Sequence, residues 1–147
     1  MNPSLKNLLP VLMMTVCGAL SAAEPTEAKA QYDMGNQYFR EGKYALAVSC
    51  YRKGAENGYL PAQNTMGVFA LNGTYGVKKD PQAAVAWFRK AAEKGWSPAQ
   101  YYLGECYEKG TGVEKDLKQA EYWYRKGAEK KNRGAIKALQ RLKQSGR

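Results

Sequence analysis

The chain has 147 residues, with 23 basic and 13 acidic side chains, no histidine and a formal net charge of +10. Without histidine there is no Ser-His-Asp or Cys-His nucleophile pair, no histidine general base and no His-bearing zinc site. At 44% hydrophobic and 24% charged residues, this length holds one compact domain or a short solenoid with a packed core, not a disordered chain.

The chain opens with Lys6, a short apolar stretch from Leu8 to Val16, and small residues at Ser21-Ala22-Ala23 before Glu24. That order reads as a secretory signal over 1–23, cleaved near Ala23, with the remainder periplasmic or secreted. The apolar stretch has about half of the ~20 residues that a membrane-spanning helix needs, so no transmembrane anchor is expected. Cys17 follows it, but Val16 stands where a lipidation pattern has a small residue, which speaks against a lipid anchor.

Past residue 24 the apolar spacing predicts helices over 26–41, 43–57, 61–72, 81–94, 98–109, 117–131 and 133–144. Asp80-Pro81 and Asp116 with Gln119 supply N-terminal caps, and Ser97-Pro98 with Gln100 offers a hydroxyl cap in capping-box spacing. Gly58, Gly73, Gly95 and Gly110 stand at expected C-terminal ends. The segments also repeat. DPQAAVAWFRKAAEKG (80–95) and DLKQAEYWYRKGAEKK (116–131) share eight of sixteen positions at an offset of 36, and KYALAVSCYRKGAENG (43–58) joins them at 37. PAQNTMGVFALNGTYGVKKD and PAQYYLGECYEKGTGVEKD recur between these blocks.

A period in the thirties with two apolar-periodic segments means stacked helix pairs, each too small to bury its own stripe. The expected fold is all-α, a right-handed α-α superhelix within one domain over 24–147. Its units are 26–58, 61–95 and 98–131, closed by a capping helix at 133–144. Gly35, Gly67 and Gly104 share one repeat position and Ala47, Ala84 and Ala120 another, where a missing side chain lets paired helices approach. Trp87 and Trp123, with Tyr51, Phe88 and Tyr124, are expected to supply the core's bulk.

At these residues the chain resembles the SEL-one-like repeat family, relatives of the tetratricopeptide repeats. The pattern runs through Ala99, Leu103-Gly104, Tyr107, Gly110 to Val113, Asp116, Ala120, Trp123-Tyr124, Lys126 and Ala128. It recurs at Ala62, Met66-Gly67, Gly73 to Val77, Asp80, Ala84, Trp87-Phe88, Lys90 and Ala91-Ala92. The first unit departs from it, since Gly42-Lys43 joins its helices by a plain tetratricopeptide-like turn. The resemblance implies a non-enzymatic protein-interaction scaffold. Secreted bacterial members include adaptors, envelope-assembly factors and immunity proteins that neutralise toxic effectors. Cysteine-rich relatives described as penicillin-binding or β-lactamase-like carry paired cysteines in each repeat, which this chain lacks.

In related solenoids the face holding the residues three before, one after and four after the shared glycine lines the concave groove. Here it comprises Tyr32, Asn36 and Phe39, then Asn64, Val68 and Leu71, then Tyr101, Glu105 and Glu108, with Lys137, Arg141 and Gln144 on the cap. This stripe is the candidate docking site for a protein partner, set against the alternative that Val68 and Leu71 only pack between helices. Most of the excess charge falls on 117–147, which holds ten basic and two acidic residues. Lys126, Lys130, Lys131, Arg133, Lys137, Arg141 and Lys143 there could meet an anionic surface or simply keep the end of the stack solvated. Nucleic acid is not an expected partner outside the cytoplasm.

No cofactor or metal motif is present. The Gly110 to Val113 loop has no preceding strand and no Gly-Lys-Ser/Thr, so it is not a phosphate cradle, and no Ser-x-x-Lys occurs. The alternative class is a cell-envelope enzyme or cell-wall-binding factor using Glu105 and Glu108, three apart on one face, if their approach raises one carboxyl pKa. Cys50 and Cys106 fall on helices separated by two others, too far apart for a disulfide, so two buried free thiols are expected.

Overall fold

The structure, a computed structural model, describes residues 25–146. The expected signal segment over 1–23, with its cleavage near Ala23, and Cys17 lie outside the described residues. Among the described residues there are seven α-helices and no strand: α1 (Pro25–Arg40), α2 (Tyr44–Glu56), α3 (Leu60–Asn72), α4 (Pro81–Glu93), α5 (Ser97–Lys109), α6 (Leu117–Glu129) and α7 (Arg133–Ser145). Their ends fall within two residues of the sequence expectation. Each helix packs chiefly on its neighbours in the chain, most closely as the pairs α1/α2, α3/α4 and α5/α6, and the one substantial contact skipping a helix joins α5 to α7. Nearest-neighbour packing of this kind is the expected solenoid, three pairs and a closing helix.

Local chemistry sets the helix starts. Asp80 accepts from the Ala83 N–H at 3.0 Å and Asp116 from those of Lys118 and Gln119, as expected of N-caps. Asn132 caps α7 in the same way through the Ala135 N–H. The hydroxyl cap at Ser97 is not formed. The helix begins one residue earlier than that cap requires, with Trp96 at the cap position, so Ser97 is already helical. Gln100 then sits one position too far along to bond back, and its side-chain amide donates instead to the Ala92 carbonyl, 3.1 Å away in the last turn of α4. Gln63 reaches the Ala55 carbonyl of α2 at the same distance. Each glutamine therefore clasps the start of one unit to the end of the one before it, as a second donor to a carbonyl that already accepts a backbone N–H, that of Gly58 at Ala55 and of Gly95 at Ala92.

The paired helices close on aromatic rings. A Cβ built on Gly35 would lie 2.7 Å from the Tyr51 ring, on Gly67 2.5 Å from that of Phe88, and on Gly104 2.6 Å from that of Tyr124. Any side chain there overlaps the ring, which is why one repeat position is glycine three times. Tyr51, Phe88 and Tyr124 are accordingly 4%, 0% and 0% exposed. Trp123 joins the core, but Trp87 is only half-buried, at the edge of the first core with the Lys90 ammonium 4.7 Å from its ring. The difference lies in the preceding residue. Tyr122 lays its ring edge-on against Trp123 at 5.1 Å, whereas the equivalent residue before Trp87 is Ala86, which covers nothing.

Between α3 and α4 the loop is one residue longer than its counterpart between α5 and α6, and that residue is Tyr75, at a φ of 55°. Its ring lies 4.8 to 4.9 Å from those of Phe39, Tyr44 and Phe69. The tight α1/α2 turn has no loop to cover this end of the first pair, and Tyr75 covers it from the second unit. Cys50 and Cys106 are free thiols, 8% and 2% exposed. Burial pushes the Cys106 thiol up to about 11, so it stays protonated and unreactive near neutral pH.

Candidate functional site

The first helices of the pairs carry the stripe. Phe39 of α1 stacks near Phe69 of α3 with centroids 6.4 Å apart, and Arg141 of α7 reaches Glu108 of α5. Between α3 and α5 there is a cleft of about 250 Å³ lined by Leu71, Lys79, Glu105, Cys106, Lys109 and Thr111. Two of the predicted residues, Leu71 and Glu105, thus come together at one concavity. Lys79, Cys106, Lys109 and Thr111 complete it and were not expected there from the sequence, because Lys79 and Thr111 lie in loops and Cys106 and Lys109 each lie one residue past a stripe position.

The other stripe residues divide by what they touch. Tyr32 is half-buried between Tyr51 and Tyr59, at centroid distances of 5.3 and 5.2 Å. Asn36 accepts the Tyr51 hydroxyl at 2.9 Å, and Phe39 packs on Tyr44 and Tyr75. Asn64 is half-buried with its Oδ1 sealed from solvent and without a partner among the described residues, and Val68 packs against the central core. Tyr101 lies over Gly134, where a Cβ would come within 3.0 Å of its ring. Burial first, then a hydrogen bond with Glu105, pushes its phenol up to about 12. Arg133, Lys137, Lys143 and Gln144 are exposed on α7, and Lys126 on α6 and Lys130 and Lys131 between the two helices are exposed as well.

Glu105 and Glu108 do not form an acid/base pair. Glu105 bonds Lys109 at 3.2 Å. Glu108 takes both guanidinium nitrogens of Arg141, one of them at 2.8 Å, and accepts the Tyr124 hydroxyl at 2.6 Å. The Arg141 bond, helped by Tyr124 and opposed by burial, holds the Glu108 carboxyl below its ordinary value, opposite in direction to the shift that acid catalysis requires. Burial and the same carboxylate push the Tyr124 phenol up. Glu108 and Arg141 thus fasten α7 to α5. Sequence spacing missed this because the two residues are 33 apart in the chain.

Among the described residues no cluster of His, Cys, Asp and Glu is arranged to hold a metal ion, and no helix is long and apolar enough to cross a membrane.

The Sel1 repeat family model matches residues 28–59, 60–96 and 97–132. The crystal structure of a Sel1 repeat protein from Oxalobacter formigenes superposes with a TM-score of 0.73 at 36% identity, covering 78% of this chain and 88% of that one. A protective antigen of uropathogenic Escherichia coli displaying an SLR fold gives 0.70 at 38% identity, over 74% of this chain and 24% of that one. Cysteine rich protein B of Helicobacter pylori gives 0.59 at 28% identity, over 63% and 69%. RNA polymerase II-associated protein 3 of Xenopus tropicalis is 48% identical over 44 residues, 27% of this chain. The chain spans about 7% of the length of that curated relative.

Proposed function

The chain belongs to the Sel1 repeat family, and from that premise we propose that it is a periplasmic adaptor whose α1/α3/α5 face docks a protein partner. Repeats of this family generally mediate protein–protein interaction. The observation that carries the reading is the cleft between α3 and α5. At about 250 Å³ it lies below the ~300–1,000 Å³ of pockets that enclose whole small ligands. It suits one inserted side chain, the usual anchor of a protein contact. Leu71 and Cys106 give it apolar walls, while Lys79, Glu105 and Lys109 give it a polar rim.

Periplasmic placement rests on the signal-like order of residues 1–23, and inhibition of a secreted effector is the form of the role consistent with a small, non-enzymatic envelope protein. The enzyme alternative lacks a comparable support, since Glu108 is neutralised by Arg141. The test is quantitative affinity purification from the native envelope fraction with the wild type, Leu71→Glu and Tyr101→Ala. At least one partner should fall tenfold or more with Leu71→Glu while the helical melt is retained. An identical partner set for all three chains would overturn the docking face. Recovery of a mature chain beginning at Glu24 from the periplasm checks the location, and recovery only from the cytosol refutes it.

A further inference from the structure

The last two helices carry charge that the fold does not use. Glu121 holds Arg125 at 2.6 Å and Glu108 holds Arg141. Lys126, Lys130, Lys131, Arg133 and Lys137 make no ion pair among the described residues, and all five are exposed. Their placement is regular. Lys126 on α6 and Lys130 at its C-cap lie one turn apart, as do Arg133 and Lys137 on α7, with Lys131 in the connection between them. One turn before Lys126 stands Tyr122, 49% exposed, with the Lys126 ammonium 5.7 Å from its ring centre.

A second observation is independent of charge. Lys131 has a φ of 61°, while the equivalent positions of the other two units hold Gly58 and Gly95 at 87° and 88°. Left-handed backbone favours glycine, so a lysine at this corner is strained. The corner is held by backbone bonds, the Lys131 N–H to the Ala128 carbonyl at 2.8 Å and the Asn132 N–H to that of Gly127 at 3.0 Å, while the lysine ammonium itself makes no hydrogen bond or ion pair among the described residues.

We infer that this face docks on an anionic phospholipid bilayer. An acidic peptide is the competing occupant, but the neighbouring cleft into which it would insert has Glu93 and Glu129 among its walls as well as Lys126 and Lys130. A carboxylate entering it meets both signs in equal number and gains no net attraction. A bilayer enters no cleft. It senses the summed field of the projecting ammonium groups, whose long stems let the charges reach headgroup phosphates. Tyr122 supplies an amphipathic ring of the kind that settles at headgroup level. Docked by this end, the chain keeps the α1/α3 part of its stripe open, Lys137 being the cation that the basic face and the stripe share, and the inference does not depend on what the stripe binds.

The test is co-sedimentation of the full chain with vesicles of phosphatidylcholine alone and with about one third phosphatidylglycerol. Residues 1–23, with Lys6, are common to every variant, so the change in the anionic-over-neutral gain from one variant to the next isolates the basic face. Each cation near an anionic leaflet contributes about fivefold to partitioning, the ratio equivalent to ~1 kcal/mol. Lys126→Glu/Lys130→Glu should therefore lower the gain at least tenfold, and about 1 M salt should abolish it, the screening length there being ~3 Å. Lys131→Gly should lower the gain about fivefold while raising the melting temperature, which separates a binding role from a folding one. Equal partitioning onto neutral and anionic vesicles overturns the proposal, as does a gain unchanged by the double variant. So does capture of poly-L-glutamate without any gain on anionic vesicles, which assigns the face to an acidic protein.

Discussion

The first and third helix pairs solve the same packing problem with the same parts and then diverge. In each, a glycine of the first helix lies beneath a tyrosine ring of the second: Gly35 under Tyr51, Gly104 under Tyr124. Both hydroxyls bond back to the first helix, but Tyr51 meets the neutral amide of Asn36 and Tyr124 meets the carboxylate of Glu108. A neutral tether ends there. A charged one recruits a further cation, Arg141, and with it the closing helix α7. The second pair has Phe88 in the tyrosine's place and no tether, and beside it Leu71 and Cys106 open onto the α3/α5 cleft. The middle pair carries no tether because its ring demands no polar partner.

The comparison breaks first at its steric element. Gly104→Leu should cost about 1–3 kcal/mol or more by overpacking Tyr124, lowering the melting temperature by roughly 5–15 °C. Gly35→Leu should behave alike against Tyr51. A melt unchanged within error for either would refute the glycine-ring pairing.

Phe88→Tyr tests the missing tether. The added hydroxyl faces the positions of Val68 and Leu71, which offer it no side-chain acceptor, and a buried unsatisfied hydroxyl costs about 1–3 kcal/mol. Stability equal to wild type by urea titration would mean that the middle pair has a hidden acceptor.

The charged tether has a pH signature. Glu108 is held below its ordinary carboxylate value in the folded chain, so its contribution is fully present above the unfolded value of 4.5. It is lost as pH falls through the lower folded value. The α7 amides should therefore exchange faster as pH drops below about 4, after correction for intrinsic exchange. Glu108→Gln should remove that acid step and leave the amides around Asn36 unaffected. Arg141→Ala should cost only about 1 kcal/mol, because the guanidinium side chain is 60% exposed.

The smallest effect is a gain. Lys131→Gly should stabilise by up to about 1 kcal/mol through relief of its left-handed backbone, a rise of a few degrees in the melting temperature. A loss of stability would show that the lysine makes a contact that offsets the strain.

Much of the architecture was legible because repeats state each rule more than once. Asp80 and Asp116 cap their helices at equivalent positions, and the glycine-aromatic register recurs across three units. Failures came where a side chain looked outside its own helix. Gln100 has capping-box spacing, yet its amide serves the preceding helix. Trp87 matches Trp123 in register, but only Trp123 has a tyrosine before it to cover it. Glu108 reads as a groove residue and is instead occupied from α7. The extra residue Tyr75 was visible as a one-residue difference between two loops, though its contact with Phe39 and Tyr44 was not.

The sequence alone determined that helices pair, where they start, and which positions must lack a side chain, since these follow from periodicity, cap chemistry and steric exclusion within some forty residues. Tertiary structure decided which residues of the expected stripe the fold itself uses. That depended on polar satisfaction across helices: Asn36 and Glu108 were claimed by hydroxyls of the paired helix, and Arg141 followed the charge. Burial strengthens such bonds and leaves no unpaired alternative without cost, so the side chains nearest a buried tyrosine hydroxyl are used by the fold before any partner can use them.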